Sequence, residues 1–267
     1  MAAITSRQHP RIKEARRFLD PAVRRKEGRF LAEGVRLLEE AFNSGLVCSG
    51  FFYTKKLSAR PRGTELLALA RRCRAPVFEV RDSVLDGLKE TKTVQGAVGL
   101  FRKPAPSSGN PTPFSVMACG LRDPGNLGTL FRVSEAAGVD EVLVTPGTVD
   151  PFNPKSLRAG MGSQFRMPGF EVADPPDRLS RIKKKGGQVI ASIPRGGSDP
   201  ADLDLTRPGV LLVGQEADGL PGPLLAAATH RVTIPMLREV ESLNTAIAAG
   251  ILLYERIRQK KTGREAG

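Results

Sequence analysis

Short apolar runs alternate with stretches in which apolar residues recur every three or four positions. The first pattern suits strands and the second amphipathic helices. In the N-terminal third it predicts helices over residues 11–19, 35–42 and 64–72, with strands over 29–32, 47–53, 77–80 and 97–101. Phe51, Phe52 and Tyr53 fall mid-strand, where an aromatic cluster belongs to a core more readily than to a base-stacking surface. Four prolines and a glycine between residues 104 and 113 exclude a helix interior or a central strand. That stretch reads as a linker between a small α/β region, residues 1–103, and a larger one, residues 114–267.

Beyond the linker the βα alternation strengthens. Strands are expected over residues 116–119, 141–144, 189–193 and 210–213, and a helix over 127–137 closed by Gly138. Near-continuous apolar strands of this kind suit a largely parallel sheet covered on both faces. In such sheets ligands occupy the crevice outside the strand carboxyl ends. After Ile234-Pro235-Met236 the chain turns through Glu241, Ser242 and Asn244 into a final helix. Ser242 is expected to cap that helix. Leu243, Ile247, Ile251 and Tyr254 form an apolar stripe at helical spacing, and Ala246, Ala248, Ala249 and Gly250 leave room for a close backbone approach.

Composition narrows the function. At 267 residues and 40% hydrophobic, the chain fits two domains with real cores. It has no apolar run of membrane-span length, and its basic start lacks an apolar signal-like core, so a cytoplasmic protein without a membrane partner is expected. Cys48, Cys73 and Cys119 are far apart and expected to be buried small hydrophobes. With only His9 and His230, no metal site is expected. The net charge of +13 is concentrated: residues 1–103 carry 22 Lys/Arg against 11 Asp/Glu, and the remainder 19 against 17. A one-sided excess of this kind suits a polyanion, and Arg7, Arg11, Arg16, Arg17, Arg24, Arg25 and Arg29 are the candidate RNA contacts.

No GxGxxG follows a strand and no GxxxxGK[ST] occurs, so the usual nucleotide-phosphate signatures are absent. Three other segments stand out, each beginning where an expected strand ends. The first is Arg122-Asp123-Pro124-Gly125-Asn126-Leu127-Gly128, running on through Arg132. The second is Gly214-Gln215-Glu216-Ala217-Asp218-Gly219-Leu220, and the third runs from Ile234 through Ser242, Leu243 and Asn244 into the last helix. In order and spacing these resemble the three signature motifs of the SpoU (TrmH-type) branch of the SPOUT methyltransferases. Gln215 and Ala217 stand where that pattern commonly has Asn and Gly. The segment from Ala159 to Arg166 is similar to the family's middle loop, which adds Arg166 to the RNA contacts.

The resemblance implies a trefoil-knotted α/β methyltransferase domain behind a ribosomal-protein-L30e-like α/β RNA-binding domain. It implies S-adenosylmethionine as methyl donor and a ribose 2′-hydroxyl of structured RNA as acceptor, with 23S-type rRNA ahead of tRNA. Pairing through the C-terminal domain as a homodimer is also implied. Donor binding is carried over to Ser192, Val213, Gly214, Gln215, Gly219, Ile234, Met236 and Leu243. Catalytic roles go to Arg132, Asn126, Glu216, Ser242 and Asn244. An arginine stays protonated in proteins, so Arg132 is expected to fix a phosphate and stabilise the developing alkoxide, with Asn126 orienting Arg132 or the ribose. A non-catalytic RNA-binding or ribosome-assembly protein that keeps the fold is the alternative, and a base or protein methyltransferase a further one.

Overall fold

The computed structural model describes residues 3–88, 96–105, 113–167 and 169–265, so most of the expected linker (106–112) lies outside the described residues. The chain divides into two compact units. One comprises Met1–Ala105 and Phe152–Arg166, the other Pro106–Pro151 and Met167–Gly267. Among the described residues no helix is long and apolar enough to cross a membrane.

In chain order the first unit runs α1 (Pro10–Arg17), α2 (Pro21–Glu27), β1 (Arg29–Glu33), α3 (Val35–Asn43), β2 (Cys48–Tyr53), α4 (Lys55–Ser58), α5 (Pro61–Arg72), β3 (Val77–Glu79), α6 (Asp82–Leu85) and β4 (Ala97–Arg102). Its sheet has the order β1-β4-β2-β3, antiparallel except for the β2–β3 pair. Successive strand residues serve opposite faces. Phe30, Phe51 and Phe101 pack under α3 and α5, while Leu31, Phe52 and Leu100 pack with Ile12 and Phe18 of the N-terminal segment. Phe51 and Phe52 are thus fully buried, as the mid-strand position predicts. The sequence pattern does not show α2, a polar helix of 7 residues that Asp20 caps by accepting from the Ala22 amide at 2.8 Å.

The second unit begins with β5 (Phe114–Cys119), α7 (Pro124–Ala136) and β6 (Glu141–Val144). Helices α8 (Pro154–Gly160) and α9 (Ser163–Arg166) then belong to the first unit. The second resumes with β7 (Gly169–Glu171), α10 (Pro175–Lys184), β8 (Gln188–Ser192), β9 (Gly209–Gly214), α11 (Gly222–Ala227), β10 (His230–Val232) and α12 (Thr245–Glu265). Its six strands lie in the order β10-β8-β9-β5-β6-β7 and every pairing is parallel. Val116, Ala118, Leu211 and Val213 face the core under α7 and α12, and Met117, Cys119, Val210 and Leu212 face that under α10 and α11. The sheet is therefore buried on both sides, the expected parallel architecture.

Residues Phe152–Arg166 follow β6 in sequence, and the sequence reading kept them with the C-terminal region. They instead complete the first unit's core. The Phe30 ring lies 4.8 Å from that of Phe152 and 5.6 Å from that of Phe165, Leu157 is buried beside them, and Arg158 pairs with Glu33.

One further expectation is corrected. Of the three cysteines, Cys48 and Cys119 are buried, whereas Cys73 is exposed just past the end of α5. Burial raises the Cys48 and Cys119 thiols to about 12, which keeps both protonated and unreactive. The buried face of α12 is Ala246, Ala249, Leu252 and Leu253; the apolar stripe points outward, with Ile247 56%, Ile251 42% and Tyr254 69% exposed. Small residues let α12 approach the sheet and α7 closely, and that leaves the bulky positions on the far side.

Candidate functional site

A cavity of about 550 Å³ opens at the carboxyl ends of β8, β9 and β10. Three chain segments wall it. Ser192, Ile193 and Pro194 leave β8; Val213 to Leu220 leave β9; and Ile234, Met236, Ser242 and Leu243 precede α12. Every residue expected to bind the donor is on that wall. The turn after β9 is tight: the Gln215 and Gly219 backbones exchange hydrogen bonds at 3.2 and 3.0 Å, with Gly219 at φ +64°. A Cβ on Gly214 would stand 2.4 Å from the Gly219 carbonyl carbon, so only glycine lets the loop fold back there. Gln215 donates to Asp218 and steadies the turn. The result is a backbone-rich slot with apolar sides, the sort of surface that suits an uncharged heteroaromatic ligand with polar edges.

A polar network joins the three motif segments beside this slot. The Asn126 side-chain amide donates to the Glu216 carboxylate, and the Asn126 carbonyl oxygen accepts from the Asn244 amide at 2.9 Å. The Asn244 oxygen accepts from the backbone amides of Ala246 and Ile247 at 3.0 and 3.2 Å. Asn244, not Ser242, therefore caps α12; Ser242 lies two residues too early and lines the cavity instead. Asp123 caps α7, accepting from the Asn126 amide at 2.7 Å, which fixes where Asn126 enters the network. Thr245 adds a buried bond of 2.8 Å to the Gly214 carbonyl. Each residue thus steadies a neighbour's orientation, and the Asn126 side chain bonds Glu216 and Asn244, with no bond to Arg132.

Arg132 is exposed on α7 and lies outside the cavity wall, and its guanidinium has no hydrogen bond or ion pair with any described residue. Six residues along a helix place Arg132 about 9 Å along the axis from Asn126. The sequence pattern does not single out several cavity residues, among them the charged Arg195 after β8 and Arg231 on β10. They carry no motif signal; only the fold brings them together.

In the first unit the basic residues differ in availability. Arg24 is buried and donates to the Phe18 and Leu19 carbonyls at 3.0 and 2.8 Å, closing the end of α1. Burial removes it from the candidate RNA contacts. Arg29 lies over the Phe18 ring at 4.5 Å and pairs with Glu14 and Glu27, the latter shared with Arg17. The hydrogen bond from Arg29 comes first among the influences that hold the Glu27 carboxyl below its ordinary value. Arg7 donates to the Ser83 carbonyl, Arg11 approaches Glu14 at 3.9 Å, and Arg166 pairs with Glu40. Arg25 stays exposed. Lys13, Arg16 and Lys26 are exposed without an ion pair to any described residue.

Comparison with known proteins matches both units. The sequence model of the SpoU rRNA Methylase family fits residues 113–254, and that of the MRM3-like substrate binding domain fits residues 9–99. An uncharacterised tRNA/rRNA methyltransferase of Synechocystis is 34% identical over 269 residues, covering 97% of this chain and 95% of that protein. The Bacillus subtilis 23S rRNA (guanosine(2553)-2′-O)-methyltransferase RlmP is 28% identical, with 95% of this chain and 98% of RlmP covered. The crystal structure of the SpoU methyltransferase AviRb from Streptomyces viridochromogenes in complex with the cofactor AdoMet superposes with a TM-score of 0.84. It is 28% identical and covers 95% of this chain and 98% of its own. With its cavity, its motif network and these matches, the chain belongs to the SpoU rRNA methylase family.

Proposed function

We propose that this protein transfers a methyl group from S-adenosylmethionine to a ribose 2′-hydroxyl of rRNA, in the cytoplasm. The observation that carries the reading is the Asn244–Asn126–Glu216 chain beside a cavity of donor size, because it couples all three motif segments into one site. The relatives' names supply the substrate class: RlmP is a 23S rRNA 2′-O-methyltransferase and AviRb was crystallised with AdoMet.

The donor supplies an electrophilic methyl group on a sulfonium whose leaving product is a neutral thioether. The chain's own residues do the rest. Gly214 and Gly219 would let backbone approach the donor's adenosine, and Ile234, Met236 and Leu243 would supply apolar cover, all five lining the cavity. Glu216, fixed by Asn126, accepts a hydrogen bond from the 2′-hydroxyl and takes up its proton as the oxygen–carbon bond forms. Arg132 holds the adjacent phosphate and stabilises charge growing on the oxygen. Positioning of this kind accounts for much of a bimolecular rate enhancement. Ser242 shapes part of the cavity wall.

The first unit grips the RNA through its basic surface, as an L30e-like platform. The outward stripe of Ile247, Ile251 and Tyr254 is the surface through which two copies pair, since contiguous exposed apolar groups mark interfaces. Arg132, exposed on the helix that packs against α12, reaches the target from outside its own chain's cavity wall. A trefoil knot in the second unit completes the family architecture.

The decisive assay incubates the protein with labelled donor and unmodified rRNA, then maps positions that resist alkaline cleavage. A blocked 2′-oxygen cannot attack its neighbouring phosphate, so resistance marks the product. Label confined to a base refutes the ribose assignment, and RNA binding without any label supports a non-catalytic assembly role.

A further inference from the structure

We infer that Arg195 and Arg231 clamp the carboxylate of the amino-acid end of the methyl donor, with Glu241 facing its ammonium. This deepens the donor-binding reading and rests on it. Both arginines line the cavity, and neither guanidinium makes a hydrogen bond or ion pair with any described residue. Two guanidiniums lining one cavity without a carboxylate partner are both available to an anion bound there.

The fold holds the pair together. Arg231 on β10 lies in register with Ala191 on β8. The loop leaving β8 carries Arg195 and is sewn back onto β10. Ser198 donates to the Arg231 carbonyl at 2.9 Å, Thr233 donates to the Ser198 carbonyl at 3.0 Å, and the Gly197 amide donates to the Thr233 hydroxyl at 2.9 Å. That hydroxyl in turn donates to the Ile193 carbonyl at 3.1 Å. A Cβ on Gly197 would meet the Val232 carbonyl carbon at 2.7 Å, so the loop lies directly against the strand. Arg195 therefore cannot drift far from Arg231.

The remaining charges select the ligand. Glu216 is held by Asn126 and Asp218 by Gln215, which leaves Glu241 as the acid of the wall without a described partner. Two cations and one anion complement an amino-acid zwitterion, whose planar carboxylate matches the guanidinium fork. A phosphodiester of bound RNA has no cationic group to engage Glu241.

The test compares two ligands on the full chain by calorimetry. S-adenosylhomocysteine has the amino-acid end; 5′-methylthioadenosine keeps the adenosine and sulfur but lacks it. In the Arg195→Ala/Arg231→Ala variant the dissociation constant for S-adenosylhomocysteine is expected to rise about 30-fold, and that for methylthioadenosine to stay unchanged. Arg195→Lys/Arg231→Lys keeps the charge without the fork and should fall between. Equal losses for both ligands would mean a disturbed cavity and overturn the clamp. So would unchanged S-adenosylhomocysteine binding with weakened RNA binding, which would assign the arginines to phosphate. If the wild-type chain binds neither ligand, the donor reading itself has failed and the clamp with it.

Discussion

The region that carries nearly all of the net charge keeps much of it occupied, whereas the nearly neutral region leaves arginines free around its cavity. In the first unit Arg17, Arg29, Arg62, Arg158 and Arg166 meet Glu27, Glu14, Glu39, Glu33 and Glu40, and Arg24 is spent on backbone carbonyls. In the second, the guanidiniums of Arg195 and Arg231 on the cavity wall, and of Arg132 outside it, have no partner among the described residues. Net charge reports long-range attraction, which survives internal pairing; a specific contact needs a cation with nothing else to hold. The two regions thus divide recognition into steering and positioning.

The sharpest break of this comparison is at the turn after β9. Gly214→Ala forces the loop away from Gly219 and should weaken S-adenosylhomocysteine binding by about 100-fold, measured by calorimetry, without touching RNA affinity. Glu216→Gln and Arg132→Ala should each lower the methylation rate by about 100-fold while donor affinity holds. Unchanged turnover would remove the residue from the mechanism. Arg24→Ala should cost about 2 kcal/mol of stability, read from denaturant midpoints, and leave RNA affinity of the folded protein intact. Replacing Lys13, Arg16 and Lys26 together by Gln should do the reverse, weakening RNA binding about tenfold with a shallower salt dependence. Equal RNA-binding losses for both variants would erase the distinction between occupied and available cations. Least dramatic is a thiol titration below pH 9. Burial holds Cys48 and Cys119 protonated at about 12, so the native chain should expose one reactive thiol, Cys73.

Strand positions and motif order were legible because both are local. Strand β6 matches its expected bounds, and the cavity sits where three expected strands end. What escaped depends on distant neighbours. Helical spacing identifies the stripe through Ile247, Ile251 and Tyr254 but not its direction, which Ala246 and Ala249 decide by fitting against α7 and the sheet. Ser242 and Asn244 are both good caps; only the loop's length decides which reaches the first free amides. Arg24 looks like its neighbours in sequence, and its burial follows from the carbonyls left open at the end of α1. Arg195 and Arg231 are 36 positions apart and carry no pattern at all. Residues 106–112, the heart of the expected linker, lie outside the described residues.

The aromatic seam between Phe30 and the Phe152–Phe165 pair has a consequence for biogenesis. During synthesis the N-terminal hundred residues emerge well before the segment that closes their hydrophobic face. Until residue 166 clears the ribosome, Phe30 lacks its lid and Glu33 its guanidinium. By then β5 and β6 have already been made, so folding of the nascent chain must interleave its halves instead of finishing one before the next.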